Sequence, residues 1–329
     1  MSDYRIPVAP VTMRDAASAS GMAFLTSELE KRDMKIREPL TSLTYPRDIP
    51  ITVGGGWVEN TSALNVTYAM AGSSVSGPVM APGANGVPMV QANLGKDVFK
   101  THMFGVGLRV SFADMMRSNF IGRSLDDLLT KGVRMTYDKH MDANAYKGLS
   151  EFGTTGLLND ANAVVSNVAA TGTGSATAWS AKTPQQILDD VNTALTAAWA
   201  AAEYDASAVP NHILLPYEQY NYILTTKVTD LATETIMDFL QKNNVAVKNG
   251  GSLTIAPTRW CDSAGVGGTD RMAVYVNDER FLKLEELVSL TRAMTQPNAA
   301  NLCYDTGYVA NVSQVEVFYP QTLRYYDGI

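Results

Sequence analysis

The sequence is poor in the residues that most enzyme chemistry needs. Of 329 residues only three are histidine, His102, His140 and His212, and two are cysteine, Cys261 and Cys303. The histidines lie far apart with no ligand-like spacing, so packed or exposed rings are expected and no metal or cofactor is. Neither cysteine belongs to a Cys-x-x-Cys pair. Cys261 beside Trp260 reads as packing, and both thiols read as free in a reducing compartment. Gly54-Gly55-Gly56 and Gly265-Val266-Gly267-Gly268 match neither the phosphate loop nor the dinucleotide fingerprint, and read as turns. Gly-x-Ser-x-Gly and His-Glu-x-x-His are absent. The adjacent carboxylates Asp189-Asp190 and Glu285-Glu286 point different ways on any regular element and read as solvated charge. No catalytic residue is therefore assigned.

Long apolar runs are missing too. None reaches eighteen residues, so no membrane-spanning helix is expected. The start, Met1 to Pro7, lacks the apolar core of a signal peptide, and a cytoplasmic location is the expectation. Against that background, the sequons at Asn60, Asn65 and Asn311 read as chance matches. Net charge is −7 and the first forty residues carry balanced charges, so no basic tail or general affinity for nucleic acid is evident.

Charge is scarcest in one place. From Asp48 to Gly95 only Asp48 and Glu59 are charged, although 18% of the whole chain is. Within that stretch the run Leu64-Asn65-Val66-Thr67-Tyr68-Ala69-Met70 alternates, which puts apolar side chains on one face of a strand. Turn-forming residues follow over 72–88. A lone two-stranded hairpin is marginal in water, and an apolar, charge-poor one invites association. The stretch reads as an arm that folds against a neighbouring subunit.

Elsewhere the pattern mixes helices and strands without a regular βαβ cadence, which indicates α+β. A weak helix pattern covers 23–37. Phe104, Val106, Leu108, Val110 and Phe112 alternate as a strand. Ser124 is a suitable N-cap, and Leu125, Leu129, Val133, Tyr137, Met141, Ala145 and Leu149 then recur every fourth position, predicting a long helix over 124–149. That row lacks the three–four alternation of a coiled coil, so packing against a sheet is expected. A Gly/Ala/Thr/Ser-rich boundary over 169–178 precedes a helix opened by Thr183-Pro184 and carrying Ile187, Val191, Leu195 and Trp199. Strands are expected at 212–216, 253–255, 272–276 and along 312–326, with helices near 217–224 and 236–240.

The order of these parts resembles the major capsid proteins of tailed bacteriophages, which share the Hong Kong 97-type fold with encapsulin shells. The residues that carry the resemblance are Phe120-Ile121-Gly122-Arg123-Ser124-Leu125-Asp126, Asn144-Ala145-Tyr146-Lys147-Gly148, Gly156-Leu157-Leu158-Asn159, the segment 209–216 and the ending 318–329. The resemblance implies an N-terminal arm over 1–47, an extended E-loop over 48–100, and a P-domain over 101–182 with the spine helix at 124–149. It further implies an A-domain over 183–299 and C-terminal P-domain strands over 300–329. Trp57, Leu64, Val66, Tyr68 and Met70 would meet a neighbouring subunit, and Leu125, Leu129, Val133, Tyr137 and Met141 would pack the spine.

The same resemblance implies hexamers and pentamers in an icosahedral shell around double-stranded DNA, held without sequence-specific binding. Portal and scaffold proteins would be partners, with room for a cementing or decoration protein. The location would be the virion, after assembly in the host cytoplasm. The rival of the same fold is an encapsulin, and the rival of another class is a cytoplasmic enzyme with an unrecognised site. Some relatives carry a cleavable scaffolding region before the arm, for which the short start leaves no room.

Some relatives also weld their shells by an isopeptide bond between an E-loop lysine and a neighbour's asparagine. This chain has no lysine between Arg47 and Lys96. Particles boiled in denaturant are therefore expected to run as single chains on a gel, and a ladder of covalent multimers would contradict this.

Overall fold

The computed structural model describes residues 39, 41–71, 89–121, 125–229 and 233–329. The helix expected over 23–37, the tip at 72–88 and the Ser124 cap lie outside the described residues. From residue 43 onward the chain carries two five-stranded sheets.

The first sheet orders its strands β1 (Ile51–Val53), β8 (Leu282–Asn298), β9 (Cys303–Val317), β3 (Met89–Ser111) and β2 (Asn60–Ala71). It is antiparallel except where β1 runs parallel to β8. The second orders β4 (Val164–Asn167), β10 (Arg324–Asp327), β7 (Arg271–Tyr275), β5 (His212–Leu215) and β6 (Thr254–Pro257). Each sheet draws on distant parts of the chain, so neither coincides with the contiguous segments expected from the sequence. β8 falls inside 183–299 yet pairs with β9, while β10, near the C-terminus, joins the second sheet through β4 and β7.

In β3 the alternation is as read: Leu108 is buried, Phe104, Val106 and Val110 are half-buried, and Gly105, Gly107 and Arg109 face out. Phe112 departs from the expected strand. It opens a helix, α2 (Phe112–Ile121), which follows the short α1 (Tyr45–Asp48), and its ring is exposed. Local chemistry explains the switch. The Ser111 hydroxyl accepts from the Asp114 amide at 3.1 Å and donates to the Asp114 carboxylate at 2.6 Å, capping the first turn.

The long helix is α3 (Leu125–Lys147), 23 residues or about 35 Å. Val133, Tyr137, Met141 and Ala145 are buried along it, Leu129 is half-buried, and Leu149 lies past its end. The side chain of Leu125 lies outside the described residues. Gly148 ends the helix at φ +65°, where a Cβ would sit 2.5 Å from the Thr154 carbonyl oxygen. The loop then folds back. The amides of Leu157 and Leu158 donate to the carbonyls of Ala145 and Tyr146 at 2.8 and 3.0 Å, while the Asn159 side chain donates to the Lys147 carbonyl at 2.7 Å. Helix-end carbonyls that would otherwise be orphaned are thus satisfied. Gly156 is needed because a Cβ there would meet the Tyr146 backbone at 2.4 Å.

One core joins α3 to both sheets through Tyr137, Met141, Ala145, Leu157, Leu214, Ala273, Leu284 and Val312. A second lies between the second sheet and the helices α4 (Pro184–Ala201), α5 (Tyr217–Thr225), α6 (Ile236–Asn243) and α7 (Val245–Lys248). Helix α4 opens with a capping box between Thr183 and Gln186, with Pro184 in its first turn.

Strand β8 escapes a period-two reading because its pairing with β9 shifts register between 284 and 286, 286 and 288, 288 and 291, and 292 and 294. Two carboxylates read as solvated find partners within the fold. Asp190 is buried, 2.5 Å from the Lys182 ammonium and 3.2 Å from the Trp179 indole nitrogen. Glu286 accepts the Tyr137 hydroxyl at 2.7 Å.

Met141 sits at the centre of the shared core, so Met141→Asp would place an unpaired charge there. The expected cost is about 3 kcal/mol or more, read as a fall in the denaturation midpoint and in soluble yield. A variant with the wild-type midpoint would mean that this face of α3 does not carry the core.

Candidate inter-subunit surface

Strands β2 and β3 project as a hairpin whose register pairs Leu64 with Lys96, Val66 with Leu94, Tyr68 with Ala92 and Met70 with Val90. Directly opposed residues share a face, so Leu64, Val66, Tyr68, Val90 and Leu94 form one apolar stripe. It is bare: Leu64 is 74% exposed, Tyr68 76% and Leu94 74%. The side chain of Met70 lies outside the described residues. The other face is polar, with Asn65 donating to the Asp97 carboxylate and the Thr67 hydroxyl 3.5 Å from the Asn93 carbonyl. Trp57 stands apart, exposed on the 54–59 connection. That connection is fixed by Asn311, whose amide donates to the carbonyls of Gly56 and Val58 at 3.3 and 3.0 Å. The lysine-free stretch covers β2 but not the whole hairpin, because the exposed Lys96 lies on β3 opposite Leu64 and Lys100 lies at the root opposite Asn60.

The root is as firmly held as the face is bare. Thr61 donates to the buried Glu316 carboxylate, whose pKa burial raises above the usual value although the Thr61 bond pulls it back. Phe99 meets Phe318 edge-on at 5.8 Å, and Lys100 donates to the Phe152 carbonyl at 3.2 Å.

Upstream, the chain enters β1 through a buried polar node. Asp48 is fully buried and receives the Arg47 guanidinium at 2.6 and 2.9 Å, the Tyr146 hydroxyl, and the His212 ring at 3.1 Å. Its carbonyl accepts the Tyr275 hydroxyl at 2.7 Å. Next to it Asp142 accepts the Thr44 amide at 3.0 Å and the Trp260 indole N–H at 2.7 Å. Helix α3 and the second sheet thereby grip one short segment from two sides.

The family model for the major capsid protein matches residues 78–329. This chain belongs to the major capsid protein family.

The capsid fold is shared with solved structures of low sequence identity. The capsid of Myoviridae phage XM1 superposes with a TM-score of 0.74 at 15% identity, over 92% of this chain and 98% of that one. A protein of Microbacterium phage Oxtober96 gives 0.60 at 11% identity, over 94% and 97%. The capsid of a native GTA particle gives 0.59 at 14% identity, over 91% and 94%. A comparison with curated protein sequences finds no match.

In this capsid protein the node's electrostatics follow from burial. Desolvation pushes the Asp48 carboxyl up, but hydrogen bonds from His212, Arg47 and Tyr146 outweigh it and hold the pKa below the usual carboxylate value. A depressed carboxylate contributes stability above its unfolded value of about 4, and that contribution is lost as pH falls through the folded value. Sequence reasoning missed Asp48, Asp142 and Glu286, whose partners Tyr146, Trp260 and Tyr137 lie 98, 118 and 149 residues away. The one local signal was the pair Arg47-Asp48 in a stretch otherwise nearly free of charge. His102 and His140, distant in sequence, are brought within 3.2 Å. Among the described residues no group of three or more His, Cys, Asp and Glu gathers as a metal site.

Tyr146→Phe keeps the packing and removes one donor to a buried charge. It is expected to cost about 1.5–3 kcal/mol in chemical denaturation of unassembled subunits. A loss under about 0.5 kcal/mol would show that Arg47 and His212 alone suffice for Asp48.

Proposed function

We propose that this capsid protein is the shell subunit of a tailed-phage head and that its β2–β3 hairpin is the E-loop, laid over a neighbouring subunit. The observation that carries this reading is the bare apolar stripe of Leu64, Val66, Tyr68, Val90 and Leu94 on a hairpin whose root is fixed. A monomer gains nothing from such a stripe, and β2 adds an edge strand with no charged residue along Asn60–Ala71. On this reading the first sheet with α3 corresponds to the P-domain and the second sheet with α4 to α7 to the A-domain.

The function is mechanical rather than catalytic. Many copies interlock as hexamers and pentamers and resist the pressure of packaged double-stranded DNA, with portal and scaffold proteins as partners. At about 25 cal/mol per Å², burying ~400 Å² of apolar surface per arm supplies roughly 10 kcal/mol before ordering costs. Repeated over a closed shell, that holds it without a covalent weld. The encapsulin reading shares the fold but not the family match, and finding nuclease-protected DNA rather than an enzyme cargo inside native particles separates the two.

Expressed alone or with its scaffold, the protein is expected to form rings, tubes or shells by electron microscopy. Tyr68→Asp combined with Leu94→Asp should leave the circular dichroism of the subunit intact and abolish assembly. A monodisperse wild-type monomer under both conditions, or normal shells from the double variant, would overturn the reading.

A further inference from the structure

The contact between the root of β3 and helix α3 contains two histidine rings that the capsid reading does not use. His102 Nε2 and His140 Nε2 lie 3.2 Å apart, with the rings edge to face. Such a contact holds one proton, because one nitrogen must donate and the other accept. The surroundings are apolar. Phe152 stacks on His102, and Phe104 packs on His140 at 5.0 Å. His102 Nδ1 is buried with no hydrogen-bond partner among the described residues. With the shared proton on His102 Nε2, that orphan is a bare acceptor, which costs less than an orphaned N–H.

No charge stands ready to stabilise an added proton. On β3, the Lys100 ammonium is engaged with the carbonyls of Phe152 and Gly153. On α3, Tyr137 gives its hydroxyl to Glu286, Asp142 is bound by Trp260, and Lys139 is exposed. The β9 residues in register with 101–105 are Ser313, Val312, Asn311, Ala310 and Val309, none of them titratable. In the turn at 150–152, Glu151 is exposed. Neither ring forms an ion pair with a carboxylate among the described residues.

We propose that the His102–His140 pair is an acid-sensitive latch between the root of the hairpin and helix α3. It stays closed while at most one ring is charged, because one N–H still donates across the contact, and opens when both rings are protonated and two N–H groups face each other. The latch is a property of the folded subunit and stands whether or not the hairpin is the assembly arm. Burial, then the neighbouring imidazole, lowers the His102 pKa to about 4, and burial lowers that of His140. A base depressed in the folded state contributes stability in full above its unfolded value of about 6.5 and loses it as pH falls toward the folded value. The window is therefore between about pH 6.5 and 4.

Two measurements on the full-length protein test this. In hydrogen exchange corrected for intrinsic rates, amides of 101–104 and 137–142 in wild type should exchange about tenfold faster at pH ~4.5 than at pH ~7. His140→Phe keeps the aromatic contacts and removes the titration, so its change should stay under about twofold. An equal acid response in wild type and His140→Phe overturns the latch. If the variant does not fold, exchange at the imidazole C2 position of the wild-type protein decides. Half-protonation of both rings below about pH 6 supports the latch, and half-protonation of both at or above about 6.5 overturns it.

Discussion

The rest of the structure depends on how one buried carboxylate is satisfied. Asp48 would be very costly to bury alone, and partners drawn from three regions of the chain remove that cost: Arg47 beside it, Tyr146 from α3 and His212 from the second sheet. Tyr275 adds a bond to its carbonyl. Each partner is correct only when helix and sheet are both in place. The node therefore acts as a register check, and it sits immediately before β1 and the hairpin, at the point where the chain changes from packed core to exposed arm.

Rigidity is distributed accordingly. The 157–159 loop closes the C-terminal end of α3, and Arg271 ties the same loop to the second sheet by donating to the Leu158 carbonyl and pairing with Asp327 at 2.7 and 2.9 Å. Beyond Glu316 and Phe318 the hairpin has a fixed origin and a free apolar face. An arm so held can present its stripe to a neighbour without the entropic cost of ordering its base.

Much of this was legible where the code is local. The alternation in 64–70 and 104–110, the four-residue row of α3 and the Thr183-Pro184 helix start all reflect periodicities fixed by backbone geometry. Errors arose where a side chain overrode the period. Phe112 completes an alternating run, yet the Ser111–Asp114 cap turns it into a helix start. Bulges in β8 break the two-residue repeat and hid a partner that pairs along β9 from Cys303 to Val317. Asp190 and Glu286 read as surface charge because Lys182 and Tyr137 reach them only in the folded chain.

By itself the sequence determined the mixed α+β character, the long helix and the position of a charge-poor arm, since composition and period act over a few residues. Only the tertiary structure decided which strands share a sheet, that Asp48 joins α3 to the second sheet, and that His102 meets His140. Those facts rest on pairings between residues tens to hundreds of positions apart, and what selects them is the cost of leaving a buried polar group without a partner.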